Sequence, residues 1–473
     1  MSDKRIVVVG GGSQFSLGLV ESLIDYGRDV LAGTTVVLLD IHHEHLDIVH
    51  QYASMLTSAV GVDLRFEKTT DRRRAFDGAD FILTTFRPGS HLQQEQDETI
   101  PPKYGLQGNE TVGIGGILMA CRVVPVLQEM CADAQQMCPH AWIINYTNPT
   151  QYVADTVRRI SALRIISLCD GYIGVPMDLA PLLEVDEADI AVYPGGTNHA
   201  TWVMRLTVGG EDGYPILQDR MSQLTWEEIE EMYAHPANVV FNGVPVSSEQ
   251  IYKQFIPHYG FPFDLRLYKI YGLLPAPRYY WRYHLDQDAL IAEQRSGQYV
   301  SMAGFYLQHS VPRLFEGLSQ RLERSSQHLR VSHREDSRGH GDLAVRVISA
   351  MVGGPSQTLV VNVPNQGSLS NLPQDAIVEV AATVDRQGPH PFAMGPLPQA
   401  LLGYQHALVL SQELTVGAAL AGDRAMLLQA IVAHPLINSI DTAARCMDEL
   451  LAVQAEWLPQ FHRAGPNGTE GER

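Results

Sequence analysis

The residues whose types could do chemistry fall in short loops. VVVGGGSQFS sets Gly10, Gly11 and Gly12 after a β-branched run, with Ser13, Gln14 and Phe15 opening the helix that follows. Consecutive glycines let the chain turn tightly against a pyrophosphate, and a helix N-terminus favours its charge. The spacing is not GxGxxG, and a βα turn that merely needs glycine would read the same. Asp40 closes the second strand, where a carboxylate accepts hydrogen bonds from an adenosine ribose and repels a 2′-phosphate. That combination predicts NAD rather than NADP, with TNP at 147–149 over the nicotinamide side. Further along, SLCDGY puts Cys169 and Asp170 just past a strand, and GGTNHATW puts Asn198 and His199 in a loop. A thiolate and an imidazole from neighbouring loops make two ligands of an open divalent-metal site, with water and substrate in the other positions. Taken singly, a free cysteine is more often a small buried hydrophobe and a loop histidine an ordinary hydrogen-bonded one. HHEHLDIVH at 42–50 reads as the wet side of a helix beside the adenine rather than as a metal cluster.

Buried strands are needed to hold such loops, and the first 200 residues supply them. Runs at 5–9, 36–39, 81–85, 142–146 and 164–168 alternate with helical patterns at 16–26, 45–59 and 118–137. That alternation predicts an α/β fold with a Rossmann-type doubly wound sheet. The second half differs: a Glu-rich helix at 224–234, an aromatic, Pro- and Arg-rich stretch at 256–283, a strand at 358–363, and a mostly helical 399–453. The expected division is an NAD-binding domain over 1–200, a C-terminal α+β catalytic and oligomerisation domain over 201–462, and a disordered tail over 463–473.

Composition narrows the function classes. Of 473 residues, 45% are hydrophobic and 18% charged, ample for a core. Lys and Arg number 34 against 53 Asp and Glu, a net charge of -19, with no basic run that would bind nucleic acid or an anionic membrane. Any anionic substrate must therefore be gripped by a few local groups. Five cysteines without a CxxC, and an N-terminus that passes straight into a strand, lead to the expectation of a cytoplasmic enzyme with no membrane segment.

The strings GGGSQFSLGLVESL, FRPGSHLQQEQDETIPPKYGLQGNETVGIGG, NYTNP, LCD, GGTNH and VVNVPNQGSLSNLP occur in this order between about residues 4 and 455. Together they resemble glycoside hydrolase family 4, the NAD- and metal-dependent glycosidases. The resemblance implies a fold like lactate and malate dehydrogenases, a homodimer or homotetramer, and Mn2+ as the metal. It implies a small-molecule glycoside as substrate, cleaved by transient oxidation at sugar C3, deprotonation at C2 and elimination at C1, outside the usual two-carboxylate scheme.

Carried over by motif, Cys169 and His199 hold the metal, Asn148 contacts the sugar and Asn198 sits beside the metal. Asp170 follows the metal cysteine, where family members acting on 6-phospho-α-glucosides carry an Asp that serves as acid and those acting on β-glucosides tend to carry Asn. CDGYIGVP departs from the Pro-containing tetrapeptide of those branches. PAPRYYWRYH at 275–284 resembles the stretch bearing their tyrosine base. Alignment on Tyr-x-Arg-Tyr makes Tyr280 the base; alignment on the proline leaves Arg278 there. A phenol with pKa of about 10 serves as base only beside a cation. Arg87, Arg278 and Arg282 are the candidates for gripping an anion at the sugar 6-position, since Arg binds tetrahedral oxyanions bidentately. A 6-phosphoglucoside is the first expectation and a sulfoquinovoside the alternative. A 2-hydroxy-acid dehydrogenase or a non-catalytic NAD sensor would explain the glycine loop and Asp40, but neither accounts for Cys169 with His199.

Overall fold

The computed structural model describes residues 4–13, 15–26, 28–234, 240–241, 244–245, 261–276, 280–296, 301–305 and 340–462. Six strands run parallel: β1 (Arg5–Val9), β2 (Thr35–Leu39), β3 (Arg65–Thr69), β4 (Phe81–Thr84), β5 (Trp142–Asn145) and β6 (Arg164–Ser167). Their spatial order is 3-2-1-4-5-6, with Val8 opposite Leu38 on one side and Leu83 on the other. β1 shows why this strand lies in the middle. Ile6 and Val8 are buried with Leu17 and Leu23 of the helix Phe15–Tyr26 and with Val347 of the helix His340–Val352. Val7, on the other face, is buried with Phe76, Met119, Val123 and Leu127. A strand buried on both faces must be apolar where it is buried, and Ile6, Val7 and Val8 are, with Arg5 at the half-buried start.

The remaining strands are β7 (Ile190–Gly196), β8 (Thr201–Val208), β9 (Glu211–Asp212), β10 (Val240–Phe241), β11 (Val244–Pro245), β12 (Pro275–Ala276), β13 (Gln357–Pro364), β14 (Ile377–Asp385) and β15 (Gly388–Pro391). All but the separate β10–β11 pair extend the same sheet, which continues β6-β13-β14-β7-β8-β12 with antiparallel neighbours. The sheet crosses the division expected at residue 200. β13 and β14 come from the C-terminal half yet lie between β6 and β7, so one sheet carries both halves. The first-half strands lie where their β-branched runs place them, to within a residue. Neither β3 nor β14 stands out in the sequence: β3 reads RFEKT because it is an exposed edge, and β14 carries Glu379 as its third residue. The tail expected over 463–473 lies outside the described residues.

The helix Gly113–Met137 is long and apolar enough to cross a membrane by composition, but its apolar stretch is mostly buried against the sheet and the C-terminal helices. It carries Arg122, which with Asp97 forms an ion pair fully shielded from water. Arg122 Nη1 donates to Asp97 Oδ1 at 3.1 Å, and Gln454 Nε2 donates to the same carboxylate at 2.9 Å. Removing one charge of such a pair strands the other without water or partner. Arg122→Met is expected to cost about 3–5 kcal/mol in urea unfolding, while Asp97→Leu with Arg122→Met together recovers most of it. A single variant as stable as the double would contradict this account.

Candidate active site

The glycine loop lies at the carboxyl end of β1. Gly10 has φ +91°, and a Cβ there would stand 2.5 Å from Thr85 O. A Cβ on Gly11 would meet Leu38 Cα at 2.9 Å, so both positions require glycine. Gly10 N and Gly11 N both donate to Leu39 O at 2.9 Å, and Ser16 Oγ donates to Gly10 O at 2.9 Å, which fixes the turn into the helix. Asp40 Oδ2 accepts from Gly12 N at 2.9 Å and Oδ1 from His42 N at 3.0 Å. The carboxylate thus sits between the loop and the helix His43–Val60, beside Ile41, which is 79% exposed. A glycine cradle, a helix N-terminus and a half-buried carboxylate in this arrangement fit a dinucleotide. Ser13 and Phe15 flank the loop; Gln14 lies outside the described residues.

Cys169 and Asp170 follow β6, and Asn198 and His199 occupy the turn between β7 and β8. The fold brings the two loops together: Cys169 Sγ and His199 Nε2 are 3.5 Å apart. His199 has φ +60°, a left-handed backbone that turns its ring toward Cys169. Its Nδ1 lies 2.9 Å from Thr111 Oγ1, whose hydroxyl donates to Asn109 Oδ1 at 2.9 Å. Since the Thr111 proton is committed to Asn109, Nδ1 carries the imidazole proton and Nε2 presents a lone pair toward the sulfur. That is the tautomer a metal-binding histidine needs. Burial, then His284, pulls His199 down to about 3, so the ring is neutral. Burial pushes the Cys169 thiol up, with Glu379 and Asp170 adding to the effect, so binding a cation there must release the thiol proton. Among the described residues no cluster of three or more His, Cys, Asp or Glu could hold a metal, so these two would leave open positions.

Two further groups, Tyr280 and Glu379, close in on this pair. The ring of Tyr280 stacks on His199 with centroids 4.0 Å apart at 21°. Asn148, half-buried, lies three residues past β5, its Oδ1 accepting from Thr150 Oγ1 at 3.2 Å. Glu379 projects from β14 beneath the turn, where Oε1 accepts from Asn198 Nδ2 at 3.0 Å and from Asn362 Nδ2 at 3.2 Å. Burial raises it to about 7 despite these hydrogen bonds. Sequence reasoning missed Glu379. The signal was a single acid inside the apolar run VEVAA.

The arginines divide. Arg87, half-buried after β4, pairs with Glu110 close to His91 and Glu98. The expectation that Arg282 grips substrate is corrected: Nε donates to Asp286 Oδ2 at 2.8 Å and Nη2 to Glu293 Oε1 at 3.0 Å, and only 5% of the residue is exposed. Its guanidinium is spent on holding the helix Tyr280–Leu285 to the helix Gln287–Arg295. Arg278 lies outside the described residues.

Comparison with known proteins decides the class. The description "Family 4 glycosyl hydrolase" matches residues 5–185, and "Family 4 glycosyl hydrolase C-terminal domain" matches residues 195–437. The chain belongs to glycosyl hydrolase family 4. It is 30% identical over 465 residues to a probable 6-phospho-β-glucosidase of Bacillus subtilis (strain 168), covering 97% of this chain and 98% of that one. Among solved structures it resembles a 6-phospho-α-glucosidase from gut microorganisms in complex with NAD and Mn2+. The two are 26% identical with a TM-score of 0.82, over 97% of this chain and 99% of the other. A lactate dehydrogenase from Eimeria maxima, 14% identical, shares the fold at a TM-score of 0.52 over 89% of this chain and 98% of its own. The dehydrogenase-like sheet of this family 4 chain is thereby established.

Beside Arg87, Glu98 is buried, accepting from Gln94 Nε2 at 2.8 Å and from Ala303 N at 3.3 Å. Burial raises it to about 8, and the Glu110 carboxylate adds to the rise. A folded pKa above the ordinary 4.5 means that stability is complete below about pH 4.5 and is lost as pH climbs through about 8. Melting temperature should therefore fall over that window in the wild type and fall less in Glu98→Gln. Equal slopes would contradict the assignment.

Proposed function

We propose that this chain is an NAD- and divalent-metal-dependent glycosidase acting on 6-phosphoglucosides. The observation that carries the reading is the approach of Cys169 Sγ to His199 Nε2, 3.5 Å apart, with the Tyr280 ring stacked on that histidine. Gly10, Gly11, Gly12 and Asp40 would hold NAD, as the cradle's fit supports. Cys169 and His199 would hold the cation, which the name of the gut-microorganism relative makes Mn2+ first. Bound there, the two groups supply reversible redox at sugar C3 and positive charge beside the oxygens that turn anionic.

The chain's own residues do the rest. Asn148 contacts the sugar and Asn198 orients it beside the cation. Tyr280 takes the C2 proton, acidified by a C3 ketone, with the nearby cation favouring its phenolate. Asp170 delivers a proton to the glycosidic oxygen as the aglycone leaves C1; water then adds across C1 and C2, its oxygen to C1 and a proton returning to C2 through Tyr280, and the reversible redox that NAD would supply restores the C3 alcohol. Arg87 grips the 6-phosphate, exchanging Glu110 for the substrate's charge. Asp170 beside Cys169 favours the α-anomer, although the Bacillus subtilis relative is named for the β-anomer.

A panel of p-nitrophenyl glycosides, neutral, 6-phospho and 6-sulfo in both anomers, tests the reading with NAD+ and Mn2+ added. The highest kcat/KM is expected for the 6-phospho-α-glucoside, with no net NADH. Cys169→Ser and His199→Ala should each abolish turnover and Mn2+ binding. A preference for neutral glycosides, or for the 6-sulfo sugar, would overturn the substrate assignment. Stoichiometric NADH would overturn the reaction class.

A further inference from the structure

His284 makes two hydrogen bonds that the sequence does not announce. Its Nε2 lies 3.0 Å from the backbone carbonyl of His199, and its Nδ1 lies 2.8 Å from Tyr404 Oη. A carbonyl only accepts, so Nε2 carries the proton and Nδ1 accepts from the Tyr404 hydroxyl. The order is therefore Tyr404 O–H to His284 to His199 C=O, running from the helix Gln399–Ala421 through the helix Tyr280–Leu285 to the turn between β7 and β8. The carbonyl at its end belongs to the residue with φ +60°. An L-residue holds that conformation only when its surroundings fix the peptides on either side.

The same short helix carries Tyr280 one turn earlier, stacked on the His199 ring. Trp281 Nε1 donates to Thr201 O at 3.0 Å, pinning the helix over the exit of the same turn. Gln405 braces the turn from the other side, accepting from Thr197 N at 2.8 Å and donating to Ala200 O at 2.6 Å. The backbone of His199 and the ring of Tyr280 are thus held by one helix, and His284 is the bond between them.

We propose that His284 is a positioning residue: it locks the left-handed backbone of His199 and so fixes the metal-binding imidazole against the base on its own helix. The inference rests on the metal-site reading given above. His284 bonds the His199 carbonyl and the Tyr404 hydroxyl, neither of them part of the glycine loop, so its loss should spare NAD+.

The test uses the full chain. Mn2+ affinity is measured by the electron paramagnetic resonance of free Mn2+, and NAD+ affinity by calorimetry, for wild type, His284→Leu and His284→Gln. His284→Leu is expected to weaken Mn2+ binding by about ten- to a hundred-fold, the range seen when a metal ligand loses its supporting bond, with NAD+ affinity unchanged. His284→Gln, which can offer an amide N–H near the Nε2 position, should restore Mn2+ affinity to within several-fold of wild type. Wild-type Mn2+ affinity in the Leu variant would overturn the inference and leave the metal site standing; so would a folded Gln variant as weak as Leu. A wild-type chain that binds no Mn2+ would overturn the metal-site reading and this inference with it. Should the Leu variant fail to fold, the 15N shifts of His284 in the wild type decide. A protonated Nε2 with a bare Nδ1 is expected, and the opposite tautomer would refute the assignment.

Discussion

The meeting of Cys169 with His199 is the contact on which the rest of the molecule depends. Neither residue can reach the other through its own loop alone. Cys169 rides on the end of β6, and His199 on the turn after β7, yet β6 and β7 are not neighbours in the sheet. β13 and β14 lie between them, brought from nearly two hundred residues downstream. The C-terminal hairpin is therefore the spacer that sets the two donors 3.5 Å apart. It also supplies Asn362 and Glu379 beneath them. A loop residue with left-handed backbone then aims the imidazole, and Thr111 with Asn109 selects the tautomer.

Much of this was legible in the sequence, for reasons that differ by residue. Buried parallel strands must be apolar on both faces, so β1, β2, β4, β5 and β6 declare themselves as β-branched runs. The glycine loop is legible because Thr85 and Leu38 leave no room for a side chain at Gly10 or Gly11. Strand order is another matter. Nothing local in residues 357–385 says that they lie between β6 and β7. Glu379 escaped notice because a charged residue inside a strand resembles a solvent-facing position until the neighbours on both sides are seen. Arg282 misled in the opposite way. Its type suits an oxyanion, but Asp286 and Glu293, four and eleven residues on, already occupy its guanidinium.

The acidic chain solves the problem of an anionic ligand locally. With a net charge of -19, long-range attraction works against any phosphorylated substrate. Arg87 is held half-buried by Glu110, and Glu98 stands behind it as a neutral acid near pH 7, since burial lifts it to about 8. Such a cluster holds one cation without adding uncompensated positive charge to the fold, and in the proposed function the substrate's phosphate would take the place of that carboxylate. Burial governs the proposed metal pair similarly: His199 is kept neutral and the Cys169 thiol protonated, so a cation bound there would displace a proton.

The proposed chemistry turns on one proton, the one at C2 of the sugar, taken by Tyr280 next to the Cys169–His199 pair. A glycosidase with paired carboxylates never breaks that bond. Hydrolysis of p-nitrophenyl 6-phospho-α-glucoside in D2O, followed by NMR of the released sugar phosphate, tests this directly. The account predicts deuterium at C2 of the product, incorporated during turnover and absent from sugar phosphate incubated without enzyme. A product that keeps its C2 proton throughout full turnover would contradict it.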